Sequence, residues 1–229
     1  MTTKNKIARL AGFLYLIVVL TGLFSLMYVP SKLIVWENPA LTFQNISSSS
    51  QLFRLGIASS MLCYIAFLLL PLVLYQLLKD VNKNYAKLMV IFALISVPIS
   101  FFNLENKLSV LTVVEGAEYV KSFDKKFLEA LVMQFLDNYD SGILIVQVFW
   151  GLWLLPFGYL VYQSGFLPKI LGIFLMLGCL GYLINVFGRI SIPDFSTYAV
   201  SKLITIPASI GEIGTCLWLL IIGVRNKKS

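Results

Sequence analysis

Six long runs of apolar residues, separated by short polar turns, constrain this chain more than any other feature of its sequence. A bilayer core about 30 Å thick needs about 20 apolar residues per helix, and each run is long enough. The runs cover residues 7–29, 52–78, 86–107, 141–163, 167–187 and 203–224. Charged residues make up only 13% of the chain, against about 25% in soluble domains. The sequence therefore predicts an all-α, polytopic transmembrane bundle of six spans, a single integral membrane domain over residues 1–229.

Basic residues cluster at one end of the predicted spans. Ten of them lie there: Lys4, Lys6, Arg9, Lys79, Lys83, Lys87, Lys169, Arg225, Lys227 and Lys228. The only acid among them is Asp80. Lysine and arginine collect on the cytoplasmic side of membrane proteins, so both termini are expected in the cytoplasm. The first run is too long for a secretory signal and no A-x-A site follows it, so we expect it to be retained.

Two connecting segments carry structural predictions of their own. Between spans three and four, Tyr119, Phe123 and Phe127 begin a four-residue apolar repeat that continues to Phe135, with charged residues mostly opposite. This period predicts an extracytoplasmic amphipathic helix over about 119–136, either a lid or headgroup-bound helix or a gate for a substrate. Residues 45–50 are predicted to form a turn that caps the second span.

Interruptions inside the spans are also visible in the sequence. Polar residues at 103–107 leave the outer end of the third span ill-defined, because the apolar run resumes at 108–114. Each proline inside a helix releases a backbone carbonyl four residues earlier, so we expect kinks at such positions. They are residues 71, 98, 156 and 207.

The composition excludes several classes of chemistry. The chain contains no histidine, which removes Ser-His-Asp triads and most transition-metal sites. Cys63, Cys179 and Cys216 all fall inside predicted spans, where cysteine behaves as a small apolar residue and no disulfide framework is implied. The net charge of +7 comes without any nucleic-acid-binding signature. We therefore expect no metal, no cofactor and no nucleic-acid partner.

Glu212 is the clearest candidate for a functional residue. At 1.5 Å per residue it lies about 13 Å beyond Leu203 in the last span, near the bilayer midplane. An acid at that depth costs about 2.5 to 3.5 kcal/mol on insertion scales, so it should face protein or water and find a partner or stay protonated. Glu212 is expected to bind a ligand or ion, to join helices by hydrogen bonding, or to act in catalysis.

Four further polar residues lie at positions that a pocket around Glu212 would use. Tyr182 and Asn185 share one face of the fifth span, and a cavity that opens outward between spans five and six would be lined by them. Gln147 and Tyr64 match Glu212 in depth and are its predicted partners. The predicted ligand-binding set is therefore Glu212, Asn185, Tyr182, Gln147 and Tyr64, without a metal ion.

Three stretches of the sequence carry a family resemblance. They are ARLAGFLY at 8–15, GYLVYQSGFLPKILG at 158–172 and EIGTCLWLLIIGV at 212–224. The chain resembles the DUF4386 family of bacterial membrane proteins, a domain of unknown function, over nearly its whole length. The resemblance implies a multi-pass protein of the bacterial inner membrane with about six helices, and it supplies no catalytic or binding residues. Gly165 and Pro168 in the central stretch also predict a tight cytoplasmic turn.

Three functions fit these features. The leading prediction is a small bundle in the lipid bilayer that binds a small apolar or amphipathic ligand, a lipid or an ion in an outward-opening pocket, with Glu212 as its polar anchor. The first alternative is a non-catalytic component that docks a partner protein, or a second copy, through the small-residue faces of spans five and six. The second is an intramembrane lipid-modifying enzyme, which the sequence does not favour because it shows no nucleophile and base pair.

Overall fold

Six helices in the computed structural model are long and apolar enough to cross a membrane. The structure describes residues 2–224, apart from the side chain of Lys202, and that part of the chain contains helices but no strand. In chain order the spans are Thr3–Leu33, Ser50–Leu78, Lys83–Val114, Lys125–Ser164, Lys169–Ser191 and Ala199–Ile222. The all-α prediction is confirmed for the described residues, and the six long apolar helices indicate a multi-pass membrane protein. The basic residues Arg225, Lys227 and Lys228, which support the predicted orientation, lie outside the described residues.

The third and fourth spans are longer than a bilayer requires. The third-span helix has 32 residues and measures about 48 Å at 1.5 Å per residue. The fourth span covers 40 residues in two helices, Lys125–Leu152 and Leu154–Ser164, with a turn at Trp153 between them. The polar residues at 103–107 lie inside the third helix and do not end it. That helix continues to Val114, and Gly116 follows with a φ of 69°.

The amphipathic helix predicted for 119–136 is helical from residue 125 onward, but it is the start of the fourth-span helix and not a separate element. Its extracytoplasmic location stays a prediction. Tyr119 lies in a short 3-10 turn, Glu118–Val120. The next helix starts after Asp124, whose side chain accepts a hydrogen bond from the Phe127 N–H at 3.0 Å, as an N-cap residue does. Residues 125–136 are therefore the first three or so turns of the continuous helix Lys125–Leu152. Its Val132 and Leu136 are buried.

A short helix precedes the second span where a turn was predicted. It covers Pro39–Ser48, and the side chain of Asn38 caps it by accepting the Leu41 N–H at 3.0 Å. Residues 45–48 are thus helical, and the break is confined to Ser49 before the second-span helix starts at Ser50. The run of serines predicted a turn over residues 45–50. Asn38 caps a helix that starts before this run and includes residues 45–48.

Of the four prolines predicted to kink a span, two lie close to a break in the helix and two do not. Pro71 and Pro98 lie inside continuous helices. Pro156 follows a turn at Trp153, and Pro207 follows a turn at residues 204–205 and begins the helix Ile206–Leu217. Proline is favoured in the first helical turn because its missing N–H has no helical partner there. Pro30, which the sequence did not single out, follows the π-helical segment Phe24–Tyr28 of the first span.

The chain divides into two compact units. The first contains residues up to Ile17, Ala66–Pro98 and the residues from Leu144 onward, and the second contains Val18–Ile65 and Ile99–Ile143. A hydrophobic cluster in the second unit packs Ile46 of the short helix with residues of the spans, among them Val29, Val110 and Leu136. The single integral membrane domain expected over residues 1–229 stays a prediction.

The first and sixth spans lie side by side and antiparallel in the first unit. Asn5 Oδ1 accepts a hydrogen bond from the Val224 N–H at 2.7 Å. One helical turn further along, the Arg9 guanidinium donates to the Ile221 carbonyl at 3.4 Å. Residues near the two chain ends therefore lie at the same end of this unit. The placement of that end in the cytoplasm stays a prediction.

Candidate functional site

Glu212 is held by a hydrogen bond from the first span. The Tyr15 hydroxyl donates to Glu212 Oε1 at 3.0 Å, and both residues belong to the first unit. The predicted partners were Gln147 and Tyr64. Gln147 instead accepts a hydrogen bond from Asn185, and the pairing of Glu212 with Tyr64 stays a prediction.

Close backbone packing brings Tyr15 to Glu212. A Cβ built on Gly12 would lie 2.5 Å from the Leu220 backbone nitrogen, so only glycine allows the two spans to approach this closely at that point. Cys216 Sγ donates to the Gly12 carbonyl at 3.6 Å across the same contact. Tyr15 follows Gly12 by three residues and therefore lies on the same helical face, where it meets Glu212.

The Tyr15 ring is fixed by aromatic neighbours. It is 1% exposed, and its centroid lies 6.2 Å from that of Trp153 and 6.4 Å from that of Phe157. The latter two rings stack on each other at 5.0 Å. These distances are typical of favourable aromatic pairs. The rings hold the Tyr15 hydroxyl in position as a donor to the carboxyl group.

One oxygen of the Glu212 carboxyl group remains available. Of the two oxygens, Oε1 receives the Tyr15 hydrogen bond, and Oε2 receives none from the residues that the structure describes. The residue is only partly buried. Tyr182 of the fifth span lies within electrostatic range of the same carboxyl group. Glu212 can therefore accept a further hydrogen bond or contact a cation through Oε2.

Asn185 and Gln147 belong to a separate polar chain that links three spans. Asn185 Nδ2 donates to Gln147 Oε1 at 3.3 Å, and Ser201 Oγ donates to Asn185 Oδ1 at 3.1 Å. Hydrogen bonds of this kind join membrane helices. Asn185 is buried, and its side chain has a partner for both its oxygen and its nitrogen. The structure thus brings Gln147 and Asn185 together, but as partners of each other.

The small residues of spans five and six contact each other inside the first unit. A Cβ on Gly178 would lie 2.7 Å from the Cα of Ala208, and one on Gly181 would lie 2.1 Å from the Ile204 carbonyl oxygen. A Cβ on Gly211 would meet the Leu175 backbone nitrogen at 2.8 Å. These glycines serve helix packing within the chain. They no longer support the alternative of partner docking, which stays a prediction that needs a different surface.

An open cleft in the first unit lies at the end that carries Asn5 and Val224. Its volume is about 390 Å³, and its lining includes Lys4, Asp80 and Gln163. Glu212 is not among the residues that line it. The outward-opening pocket at Glu212 therefore stays a prediction.

Comparison with known proteins identifies the family. The sequence matches the domain of unknown function DUF4386 over residues 10–223. The chain belongs to the DUF4386 family. An uncharacterized protein of Archaeoglobus fulgidus is 31% identical over 150 residues, which cover 66% of this chain and 72% of that protein. No solved structure matches the chain. The family resemblance is confirmed, whereas a bacterial source and an inner-membrane location stay predictions.

Two of the three stretches that resemble DUF4386 meet at Glu212. The stretch 8–15 contains Gly12 and Tyr15, and the stretch 212–224 contains Glu212, Cys216 and Leu220. The third stretch, 158–172, packs on itself, because a Cβ on Gly158 would lie 2.6 Å from the Gly172 carbonyl oxygen. In this DUF4386 protein the first and last stretches together build the surroundings of the membrane-embedded acid.

Sequence reasoning missed two residues with functional potential in this DUF4386 protein. Tyr15 gave no signal on its own, because a tyrosine inside an apolar run is common. Lys107 of the second unit is 4% exposed, and its ammonium group lies 4.0 Å from the centre of the Tyr139 ring. Its signal was the pair of polar residues Asn103 and Lys107, which four-residue spacing places on one helical face.

Proposed function

We propose that this protein binds a small amphipathic ligand or an ion in an outward-opening pocket within the membrane, with Glu212 as the polar anchor. The observation that carries the proposal is the carboxyl oxygen of Glu212 that the described residues leave without a hydrogen bond, on a partly buried side chain. Ionisable residues inside membrane spans are functional by default. A carboxyl group used only to join helices is expected to have both oxygens satisfied.

The chemistry of Glu212 limits the ligand. An ionised carboxylate only accepts hydrogen bonds, and Tyr15 already supplies one donor. A ligand of ionised Glu212 therefore brings a positive charge or an N–H or O–H donor to Oε2. Such a group on an otherwise apolar molecule suits a site in lipid, since its apolar part gains from burial. A free cation satisfies the same oxygen.

The same proposal places the protein in a cell membrane with both termini in the cytoplasm. The clustered lysines and arginines support this orientation, and Asn5 beside Val224 supports placing both ends of the described chain on one side. The alternatives remain a docking component and an intramembrane lipid-modifying enzyme. The following experiment separates them.

Native mass spectra of the gently solubilised protein test the proposal. We compare the wild type with Glu212→Gln, which keeps the side-chain size, and with Glu105→Gln, which alters an exposed acid of the third span. We expect a co-purifying mass on the wild type and on Glu105→Gln that is lost from Glu212→Gln. The lost mass identifies what to assay.

Other outcomes contradict the proposal in distinct ways. If none of the three proteins carries a bound mass and all three fold normally, the proposed pocket at Glu212 is contradicted. A mass retained by Glu212→Gln together with lost turnover of lipid indicates the enzyme. A change in Glu212→Gln confined to self-association or partner capture indicates the docking component.

A further inference from the structure

Lys107 is a buried cation without an acidic partner in the described part of the second unit. Its side chain is 4% exposed, and it is not a member of the ion pairs Arg54–Glu115, Lys121–Glu118 and Lys125–Glu129 of the same unit. The ammonium group donates to the Ser25 carbonyl at 3.4 Å and lies over the Tyr139 ring. Burial of a charge is costly unless an opposite charge or several hydrogen bonds compensate for it. Lys107 has one hydrogen bond and one cation–π contact.

The Ser25 carbonyl is available because the first span is π-helical at this point. In the segment Phe24–Tyr28 the Val29 N–H donates to the Phe24 carbonyl. The π-helical donor for the next carbonyl, that of Ser25, would be residue 30, which is a proline and has no N–H. The Ser25 carbonyl is therefore left to the ammonium group of Lys107. π-Helical segments often occur at functional sites.

Two buried tyrosines of the second unit have hydroxyls that no described residue pairs by a hydrogen bond. The Tyr64 and Tyr139 hydroxyls lie near each other, and both are buried without a partner among the described residues. A buried polar group without a partner loses its hydration and gains nothing in return, so native structures contain few of them. Both belong to the second unit, and the Tyr139 ring lies against the ammonium group of Lys107.

The neighbouring polar side chains Asn103 and Ser60 direct their donors to backbone carbonyls. Asn103 Nδ2 donates to the Tyr139 carbonyl at 2.9 Å, and Asn103 Oδ1 accepts from Asn106 at 3.1 Å. Ser60 Oγ donates to the Gly56 carbonyl at 3.1 Å. The ammonium group can only donate hydrogen bonds, and each hydroxyl can donate one as well as accept. Three donors beside a positive charge can bind a negatively charged ligand.

We propose that Lys107, Tyr64 and Tyr139 form a binding site for a small monovalent anion. The ammonium group supplies the charge, and the two hydroxyls donate hydrogen bonds of the strong, charge-assisted kind. A free halide ion and the carboxylate head of a lipid or fatty acid both present this chemistry. The site lies in the second unit and binds the opposite charge to that expected at Glu212, so it does not depend on the proposed function.

The line width of chloride in ³⁵Cl NMR tests the site with a defined probe. Chloride that exchanges with a protein site relaxes faster, so saturable broadening reports binding. We expect saturable broadening with the full-length protein in detergent and its loss in Lys107→Gln. Lys121→Gln serves as the matched control, because Lys121 is an exposed lysine of the same unit paired with Glu118, and it should keep the broadening. Saturable broadening that persists in a folded Lys107→Gln overturns the proposal.

Two further measurements identify the source of the anion, and two further variants test the site if Lys107→Gln does not fold. Sodium acetate that removes the chloride broadening shows that a carboxylate occupies the same site, and a fatty-acid mass lost in Lys107→Gln shows that a lipid supplies it. If Lys107→Gln does not fold, Tyr64→Phe and Tyr139→Phe remove only the hydroxyls. We expect each to weaken chloride affinity about tenfold, and unchanged affinity in both overturns the proposal. Glu212→Gln should retain the chloride signal, so the two proposals fail independently.

Discussion

The surroundings of Glu212 in the first unit and of Lys107 in the second are opposite in their hydrogen-bonding balance. Glu212 receives a donor from Tyr15 and leaves one oxygen as an unused acceptor. Lys107 contacts one carbonyl and one ring face, and the hydroxyls of Tyr139 and Tyr64 in the same unit have no hydrogen-bond partner among the described residues. Tyrosine thus accompanies the ionisable group in both places. The groups left unused indicate the sign of the ligand that each site can take.

The two sites also differ in how the backbone makes room for them. At Glu212, helices approach through Gly12, where a side chain would collide with the Leu220 backbone. At Lys107, a proline after a π-helical segment leaves the Ser25 carbonyl without a helical donor. The first arrangement depends on a regular helix and a missing Cβ, and the second depends on an irregular helix and a missing N–H.

The largest expected effect is that of a methyl group at Gly12. Gly12→Ala places a Cβ 2.5 Å from the Leu220 nitrogen, and because backbone cannot rotate away, we expect a loss of about 3 kcal/mol in stability. Gly22→Ala is the matched control, since its Cβ meets only Cys63 Sγ at 3.7 Å. Thermal unfolding in detergent measures both. Equal melting temperatures for the two variants would contradict the close contact between spans one and six.

The next largest effect is a difference in stability between variants of Tyr15 and Tyr64. Tyr15→Phe removes the donor to Glu212, so we expect a loss of about 1 to 3 kcal/mol. Tyr64→Phe removes a hydroxyl that has no partner among the described residues, so without an added anion its stability should stay within about 0.5 kcal/mol of the wild type. Denaturant titration in halide-free buffer gives both values. A larger loss of stability in Tyr64→Phe would show that the Tyr64 hydroxyl has a partner in the folded protein, as the Tyr15 hydroxyl does.

A smaller effect is expected from the proline of the first span. Pro30→Ala supplies an N–H that competes with Lys107 for the Ser25 carbonyl. Because the ammonium group then loses its one hydrogen-bond acceptor, we expect about threefold weaker chloride binding, the equivalent of a net hydrogen bond of modest strength. The ³⁵Cl line width measures the change. Unchanged binding would show that the π-helical segment does not position Lys107.

The smallest effect is expected at an exposed ion pair of the second unit. Arg54 and Glu115 form a salt bridge whose side chains are 50% and 40% exposed. Exposed pairs contribute little, so Arg54→Gln should change stability by no more than about 1 kcal/mol. It should leave chloride binding and the mass bound at Glu212 unaltered. A loss of either ligand in this variant would show that both assays report general destabilisation.

The spans could be predicted from the sequence because hydrophobic length is a local property of the chain. Their ends were less predictable, since the third and fourth helices continue beyond the apolar runs into packed contacts such as those of Val110 and Val132. The four-residue apolar repeat from Tyr119 extends across two different elements, a 3-10 turn and the start of a long helix. The cap at Asp124, three residues before Phe127, is the local feature that separates them.

The site was only partly predictable, because the relative register of distant spans is not encoded in a local pattern. Glu212 stood out as an acid in an apolar run, and depth alone suggested Gln147 and Tyr64 as its partners. The actual partner depends on Gly12, whose contact with Leu220 sets which residues of spans one and six face each other. Lys107 was visible as a polar interruption, but its burial depends on the helices that surround it.

The pairing of the first span with the last has a consequence for biosynthesis. A ribosome delivers Tyr15 to the membrane 197 residues before Glu212, so the hydrogen bond between them can form only after all the intervening spans have been made. Until then the flat surface at Gly12 lies open to lipid or to the insertion machinery. A chain that stops before the sixth span keeps that surface uncovered, which gives membrane proteases and chaperones a physical mark of an unfinished molecule.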